Sequence, residues 1–250
     1  MKVLRVAIPY PNHSDITDPC KKSLYKLIEA SKQGLLPFEL QIKTAQCSRV
    51  SLGRNDLIND GKSYKKIQTE FPYDRLLFID ADQSFEVENV VRLWNTSEAT
   101  QFKVVTGVTN PRNFLNKLNI GEFGDDGYTT PMDRMYDSDT VRSSVLDTVD
   151  WCGAAFLMID ASVLSAVEYP WFEERYISIG DEVHSIGEDV MFCHKLKEQG
   201  IPLLADISNF VVHHFDIKPS DVMQQKIQQW KQFNLDMIDS TEKLMQELCK

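Results

Sequence analysis

The sequence predicts an α/β fold in which a mostly parallel sheet carries helices on both faces. Two observations predict this class. Through the first half of the chain, short apolar runs alternate with amphipathic segments of helical period. The chain of 250 residues, 42% of them hydrophobic, is also long enough to bury one large core. Alternating strands and helices are typical of parallel sheets, because each crossover helix packs against one face of the sheet.

The first half of the chain supplies most of the elements of this sheet. Apolar or alternating runs predict the strands, and apolar residues three or four positions apart predict the helices. We expect strands at 3–8, 38–43, 75–79 and 103–108, and helices at 19–33, 54–70 and 86–98.

The second half of the chain is less regular. Residues 110–147 contain three glycines, two prolines and scattered aromatic residues, which predicts a functional loop or lid. The patterns that follow predict an apolar strand at 149–159, helices at 162–167 and 185–199, and strands at 201–207 and 210–215.

The chain is expected to divide into a main domain, residues 1–217, and a helical extension, residues 218–250. Apolar residues at helical spacing in the extension predict a stripe that packs on the core or on a partner helix. A homo-oligomer formed through this helix is one expectation.

Composition argues against several classes of protein. A net charge of −10, with no basic cluster longer than Lys65-Lys66, disfavours nucleic acid and anionic membranes as partners. No stretch approaches the ~20 apolar residues of a membrane span, and residues 1–8 have the pattern of a strand rather than of a signal peptide. The five cysteines are scattered without a Cys-x-x-Cys pair, so we expect neither a disulfide framework nor a zinc site, and a cytoplasmic location.

Two carboxylates, Asp80 and Asp82, follow the apolar run 75–79. With one residue between them, both side chains are expected on the same face, at the carboxyl edge where open α/β sheets bind ligands. Two such carboxylates repel each other and need a cation; Mg²⁺ or Mn²⁺ suits hard oxygen ligands shared with a diphosphate. The alternative is a pair of solvated aspartates in a turn.

Other residues are candidates for donor binding. Arg54 and Asn55 lie near the start of a predicted helix, where Arg54 would pair with a phosphate and Asn55 would bond to the nucleotide. Tyr10 follows the first strand and would stack on a base. The alternatives are a surface pair at a helix start and an aromatic residue at the rim of the site.

Small residues near the second apolar run point to a sugar pocket. Gly153 and Ala154 would let a sugar ring approach the backbone, although close packing of a core strand gives the same pattern. Trp151 would stack on a sugar or fill the core. The turn at 170–172 is expected to expose Trp171 and Phe172 on the acceptor side.

The late motifs supply candidates for proton transfer and metal binding. Glu188 would either complete a capping box with Ser185 or take part in catalysis. Asp189 is not needed by the capping box and is the preferred general base for an acceptor hydroxyl. His213 and His214 would point to opposite faces of a strand, so at most one reaches the metal, and the sequence does not choose between them. Lys218 would contact the diphosphate or remain solvated.

In this order the motifs resemble those of glycosyltransferases of the GT-A fold, in particular the compact bacterial and phage-type enzymes, over residues 3–215. The resemblance implies a Rossmann-like fold and an Asp-x-Asp motif that binds the nucleotide ribose and a divalent metal. It also implies a Gly-Ala segment that shapes the sugar pocket, a Glu-Asp pair that faces the acceptor, and a late His on the metal. The Gly-x-Gly-Thr-Arg signature of sugar nucleotidyltransferases is absent, which favours sugar transfer.

The resemblance therefore implies a metal-dependent, hexosyltransferase-type enzyme that moves a sugar from a nucleotide-diphosphate donor to a hydroxyl of a glycan, glycolipid or glycoprotein. Asp82, Asp80 and one of the two histidines would hold Mn²⁺ or Mg²⁺. Two alternatives stay open. One is a non-catalytic carbohydrate-binding module on the same fold; the other is a metal-dependent phosphoesterase, whose sites usually cluster more His and Asp residues.

Overall fold

A computed structural model describes residues 1–60, 69–111, 117–138 and 146–214. The predicted extension, 218–250, and with it Lys218, lie outside the described residues. The strands are β1 (Val3–Pro11), β2 (Glu39–Cys47), β3 (Arg75–Ile79), β4 (Gln83–Ser84), β5 (Val104–Val108), β6 (Lys117–Gly121), β7 (Met135–Asp137), β8 (Leu146–Val149), β9 (Trp151–Cys152), β10 (Phe156–Asp160), β11 (Arg175–Ile179), β12 (Glu182–Ile186), β13 (Leu203–Phe210) and β14 (Val212–His213). The helices are α1 (Asp18–Lys32), α2 (Val50–Ile58), α3 (Val87–Thr100), α4 (Ala161–Ala166) and α5 (Glu188–Glu198), with a short 3₁₀ turn at Met132–Arg134.

The main sheet has seven strands in the order β2-β1-β3-β10-β5-β13-β8. Strand β1 is parallel to β2 and β3, and β13 is parallel to β5. Strand β10 is antiparallel to both β3 and β5, and β8 is antiparallel to β13. Five strands therefore share one direction, but three of the six neighbouring pairs are antiparallel. The α/β class is confirmed, whereas the sheet is more mixed than the predicted, mostly parallel one.

Both faces of this sheet are buried under helices. On β3, Leu76 and Phe78 pack with residues of α2, α4 and α5, whereas Leu77 and Ile79 pack with α1 and α3. Alternate side chains of a strand point to opposite faces, so each face of β3 joins a different core cluster. This arrangement confirms the prediction of helices on both faces.

Two predicted helix starts are wrong. Helix α2 begins at Val50, so Arg54 lies in its second turn rather than near its start, and residues 61–68 lie outside the described part. Helix α5 begins at Glu188 with Gly187 as its N-cap, while Ser185 belongs to β12. The predicted capping box therefore does not form, because β11 and β12 pair as a hairpin that continues up to the helix.

The segment 110–147 is not an irregular loop throughout. Strand β6 pairs with both β7 and β9, and β8 joins the edge of the main sheet. Leu118 and Ile120 of β6 are completely buried in the core. A lid that moves as a whole would expose these side chains to water. Among the described residues of the segment, the lid prediction now concerns the more exposed stretch between Gly124 and Pro131, and its parts at 112–116 and 139–145 lie outside the described residues.

The other departures concern the later apolar segments. The run at 149–159 is broken into β9 and β10 by a turn. The strands predicted at 201–207 and 210–215 correspond to the long β13 and the two-residue β14, and residue 215 lies outside the described residues. Trp171 and Phe172, expected to be exposed, are each only 1% exposed because they pack in the core on the α2 side of the sheet. Within the described ranges, no helix combines the length and apolar character needed to cross a membrane.

Candidate functional site

The carboxyl ends of the parallel strands bring the sequence motifs to one edge of the sheet. Residues 80–82 follow β3, residues 109–111 follow β5, and His213 and His214 follow β13. Strands β4 and β14 then pair in the register His213 opposite Gln83. This short ladder joins the segment after β3 to the segment after β13, which lie apart in the main sheet.

Asp82 and His213 face each other across this ladder. The Nε2 atom of His213 lies 3.0 Å from Oδ2 of Asp82, and the two side chains are 9% and 20% exposed. The other ring nitrogen, Nδ1, lies 3.4 Å from the carbonyl oxygen of Asn110. His214 instead places Nε2 2.7 Å from Oγ of Ser84. The geometry thus distinguishes the two histidines, which the sequence could not do.

This pair is compatible with a divalent cation. Neighbouring ligands of an octahedral ion at about 2.1 Å lie about 3.0 Å apart, the separation of the two atoms in the Asp82–His213 pair. No group of three or more His, Cys, Asp and Glu ligands occurs in the described part of the chain. A cation held here would therefore take its remaining ligands from water or phosphate, as Mg²⁺ commonly does.

Asp80 is held differently from Asp82. Its carbonyl oxygen accepts a hydrogen bond from the N–H of Gln83 (3.0 Å), which closes a turn, and its own N–H donates to the carbonyl oxygen of Ala155 (3.1 Å). Its carboxylate accepts from Nη2 of Arg54 at 2.8 Å. Asp80 therefore has a cationic partner in the protein itself, which it shares with Glu188. Metal binding by Asp80 stays a prediction.

Arg54 lies at the centre of a group of carboxylates. Its side chain is 3% exposed, and its two terminal nitrogens pair with Asp80 and Glu188. Its guanidinium lies 5.8 Å and 5.6 Å from the ring centres of Phe78 and Phe172. Since both terminal nitrogens already bind carboxylates, the predicted bidentate pairing with a donor phosphate does not fit this geometry.

The carboxylates Glu188 and Asp189 occupy the first turn of α5, where the helix dipole favours negative charge. Burial raises the pKa of both carboxyl groups, although Arg54 opposes the shift. Oδ1 of Asp189 accepts a hydrogen bond from the N–H of Val190 at 2.8 Å. A carboxylate with a raised pKa is a stronger base than an ordinary aspartate, which suits Asp189 to accept a proton.

Asn55 has a structural role. Its side chain is 4% exposed, and its Nδ2 donates to the carbonyl oxygens of Ser51 (2.8 Å) and Phe172 (2.7 Å). Its Oδ1 accepts from the N–H of Phe172 at 3.2 Å. The prediction of a nucleotide contact is wrong because the amide is turned inward and used by the main chain.

Gly153 and Ala154 separate into different roles. A Cβ added at Gly153 would lie 3.1 Å from Nδ2 of Asn119 and 3.6 Å from Oδ2 of Asp189, so the glycine keeps the backbone close to this carboxylate. Ala154 is 1% exposed in the core, so its predicted contact with a sugar is wrong. Trp151 is also a core residue and donates from Nε1 to the carbonyl oxygen of Glu122 at 3.2 Å.

Tyr10 lies on β1 rather than in a loop. Strand β1 extends past the predicted end because its pairing with β2 continues to Pro11. The side chain of Tyr10 is partly buried against the core on the α1 side. Stacking of a base on Tyr10 stays a prediction.

Some buried polar atoms without hydrogen-bond partners lie at the same edge. Among the described residues they are Nε of Arg5, Arg54 and Arg75, both amide atoms of Gln83, and Oγ1 of Thr109. Gln83 directly follows Asp82 and lies opposite His213, and Thr109 follows β5. Unpaired buried polar groups are uncommon and often belong to binding sites. Sequence inspection missed both residues; only their position next to a motif or a strand end could have suggested them.

No family model and no curated protein matches this sequence. Solved structures do match: 211 chains are similar, among them the crystal structure of A197 from STIV. That match has a TM-score of 0.52 and 19% sequence identity, and it covers 86% of this chain and 87% of A197. At this identity the likeness shows a shared fold alone.

Proposed function

We propose that this protein is a metal-dependent glycosyltransferase of the GT-A fold, which moves a sugar from a nucleotide-diphosphate donor to a hydroxyl acceptor. One observation carries the proposal. Asp82 faces His213 at 3.0 Å on the same sheet edge as the group formed by Arg54, Glu188 and Asp189. A pair able to bind a metal and a buried carboxylate base are the two parts that such a transfer needs.

The topology supports the GT-A assignment. A single reversed strand, β10, lies between the parallel groups β2-β1-β3 and β5-β13. The candidate site follows the carboxyl ends of strands on both sides of this reversal, where open α/β sheets bind ligands.

The donor half of the site is built around Asp82 and His213. Their carboxylate oxygen and imidazole nitrogen would hold Mn²⁺ or Mg²⁺, and Asp80 begins the turn that contains Asp82. The cation, when bound, neutralises the negative charge that develops on the departing diphosphate. Tyr10 and Gly153 remain candidates for contacts with the donor.

Asp189 is the proposed general base of an inverting transfer. As the acceptor oxygen forms its bond to the anomeric carbon, the bond from that carbon to the diphosphate breaks, and Asp189 takes the hydroxyl proton. Glu188 is less suited to this role because its carboxylate is engaged by Arg54.

A panel of nucleotide sugars tests the proposal. The melting temperature would be measured for the wild type and for Asp82→Ala, with each nucleotide sugar, in the presence and absence of Mn²⁺. Ligand binding raises the melting temperature by mass action, so the donor should stand out with Mn²⁺ and lose its effect in the variant. Asp60→Asn, a change in a carboxylate outside the site, is the control. A wild type that no nucleotide sugar stabilises would contradict the proposal.

The same panel separates the alternatives. Binding of a sugar without nucleotide, and without turnover, would indicate a carbohydrate-binding module. Hydrolysis of many unrelated phosphate esters would indicate a phosphoesterase, although the described residues lack the cluster of three or more ligands typical of that class. The acceptor, a homo-oligomer through 218–250 and a cytoplasmic location remain predictions from the sequence.

A further inference from the structure

Arg54 joins two segments that are distant in the sequence. Its Nη2 binds Asp80 at the end of β3, and its Nη1 binds Glu188 at the start of α5, 134 residues away in the chain. Its guanidinium is nearly inaccessible and lies beside the rings of Phe78 and Phe172. An arginine so enclosed can hold two carboxylates in fixed positions, because its planar donors point in set directions.

The residues on either side of Arg54 fix its own position. A Cβ at Gly53 would lie 2.7 Å from Sγ of Cys47 and 3.2 Å from Cβ of Pro9, so only a glycine lets α2 pack this closely on β1 and β2. Asn55 binds the main chain of Phe172 through both amide atoms. The helix that carries Arg54 is therefore fastened both to the sheet and to the segment before the β11–β12 hairpin.

We propose that Arg54 is a positioning residue, which joins the donor half of the site to its proton-accepting half by holding Asp80 and Glu188 together. This inference rests on the proposed function. It reassigns Arg54 from a phosphate ligand to an internal bridge. Through Asp80 the bridge sets the turn that carries Asp82, and through Glu188 it sets the first turn of α5, which carries Asp189.

The bridge makes a specific prediction for lysine. A lysine keeps the positive charge, but its single ammonium cannot reproduce the forked contact with two carboxylates. The two halves of the site would then lose their fixed separation while the charge balance is kept. Displacement of reacting groups by about 1 Å can cost about 100-fold in rate, so the loss should appear in kcat rather than in donor affinity.

The test compares Arg54→Lys with Arg5→Met in turnover of the donor identified by the panel. Arg5 is a matched control: its side chain is 2% exposed, it pairs with Asp60 at 2.7 Å and it stacks 4.3 Å over the ring of Tyr73. We expect Arg54→Lys to lower kcat by about 100-fold and to change the donor Kd by less than about 3-fold. Arg5→Met should lower the melting temperature but keep kcat. A normal kcat in Arg54→Lys, or a donor Kd weakened as much as kcat/KM, would overturn the bridge.

A second measurement does not depend on activity. In a double-mutant cycle of thermodynamic stability, Arg54→Met leaves Glu188 without its partner, and adding Glu188→Gln removes that unpaired charge. We expect a coupling of about 10-fold in the unfolding equilibrium constant, whereas additive effects would overturn the bridge. If Arg54→Met does not fold, the cycle is run with Arg54→Lys. If the cycle shows coupling but the wild-type protein turns over no nucleotide sugar, the proposed function is refuted and the contact of Arg54 with Glu188 is still supported.

Discussion

Three buried arginines stabilise this fold at two different ends of the sheet, and they differ in the charge around them. Arg5 and Arg75 lie near the amino ends of β1 and β3, whereas Arg54 faces the carboxyl edge. Their exposures are similar, at 2%, 6% and 3%. Arg5 and Arg75 lie 4.3 Å and 4.5 Å from the centre of an aromatic ring, and Arg54 lies between two rings at slightly greater distances.

At the amino end the charges balance. Arg5 pairs with Asp60, and the two carboxylates near Arg75 are matched by a second cation, because one of them, Glu98, also binds Lys2.

At the carboxyl edge, Arg54 stands among Asp80, Glu188 and Asp189, which leaves a surplus of negative charge. Buried arginines therefore have paired charges at the amino end of the sheet, whereas the charges around the buried arginine at the carboxyl edge do not balance. A proton or a bound cation would complete the balance.

The largest expected difference between the two ends is in activity. Asp189→Asn should keep donor binding but lower sugar transfer by at least ~100-fold, the usual range for a missing general base. Asp60→Asn, which removes a carboxylate from the other end, should leave transfer within about 2-fold of the wild type once the folded fraction is matched. Initial rates with saturating donor and Mn²⁺ measure both. Near-normal turnover in Asp189→Asn would mean that Asp189 is not a general base and serves only as a negative charge at the start of the helix.

The two ends should also respond with opposite signs in stability. Asp60→Asn leaves Arg5 buried without its charge partner and should lower the free energy of unfolding by about 3 kcal/mol at pH 7. Asp189→Asn removes a carboxylate whose ionised form is disfavoured by burial, so it should raise the free energy of unfolding. Urea denaturation at pH 7 gives both values. If both variants changed the free energy of unfolding in the same direction, the proposed difference in charge balance between the two ends of the sheet would be wrong.

Asn55 tests whether a residue beside Arg54 serves structure or donor binding. Asn55→Ala removes the hydrogen bonds with Phe172 and with Ser51. It should lower the free energy of unfolding by about 3 kcal/mol, at roughly 1 kcal/mol for each of the three bonds. The shift in melting temperature that the donor causes should stay the same, since the amide does not face the site. Loss of that shift in a folded Asn55→Ala protein would instead support the contact between Asn55 and the nucleotide that the sequence suggested.

The smallest effect expected is in the pH dependence of stability. A carboxyl group with a raised pKa in the folded state stays protonated to a higher pH than in the unfolded chain. Its contribution to the free energy of unfolding therefore falls as the pH rises from the ordinary carboxyl pKa through the folded pKa. Glu188 and Asp189 have raised pKa values, and Glu98 has a pKa lowered by the hydrogen bond from Lys2 and by Arg75. The stability gain of Asp189→Asn should therefore vanish below about pH 4 and grow toward neutral pH. A gain that is independent of pH would mean that Asp189 does not titrate in this range.

The fold could be predicted from the sequence where one signal decides the element. Strand β3 was predicted with its observed bounds because an apolar run there is closed on both sides by aspartates. The start of α5 was misplaced because Ser185 with Glu188 satisfies a capping pattern, although the pairing of β12 with β11 fixes Ser185 in a strand. Pairing between strands is a long-range property that a local pattern does not contain.

For the site, the sequence predicted which segments meet but not which way their side chains turn. Asp82 and a late histidine were expected together, yet only the register of β4 with β14 selects His213. Ala154 and Asn55 stand inside motifs and are nevertheless turned into the core. Whether a side chain in a motif points into the core or toward the site depends on how the neighbouring strand and helix pack, which short motifs do not encode.

The central claim, a metal held by Asp82 and one histidine, is tested most directly by the Mn²⁺ dependence of donor turnover in His213→Ala and His214→Ala. The two variants lose the same side chain one residue apart, so each controls for the other. We expect His213→Ala to need at least ~10-fold more Mn²⁺ for half-maximal turnover, because one ligand is missing, while His214→Ala keeps the wild-type dependence. An unchanged Mn²⁺ dependence in His213→Ala, or the larger loss in His214→Ala, would contradict the central claim.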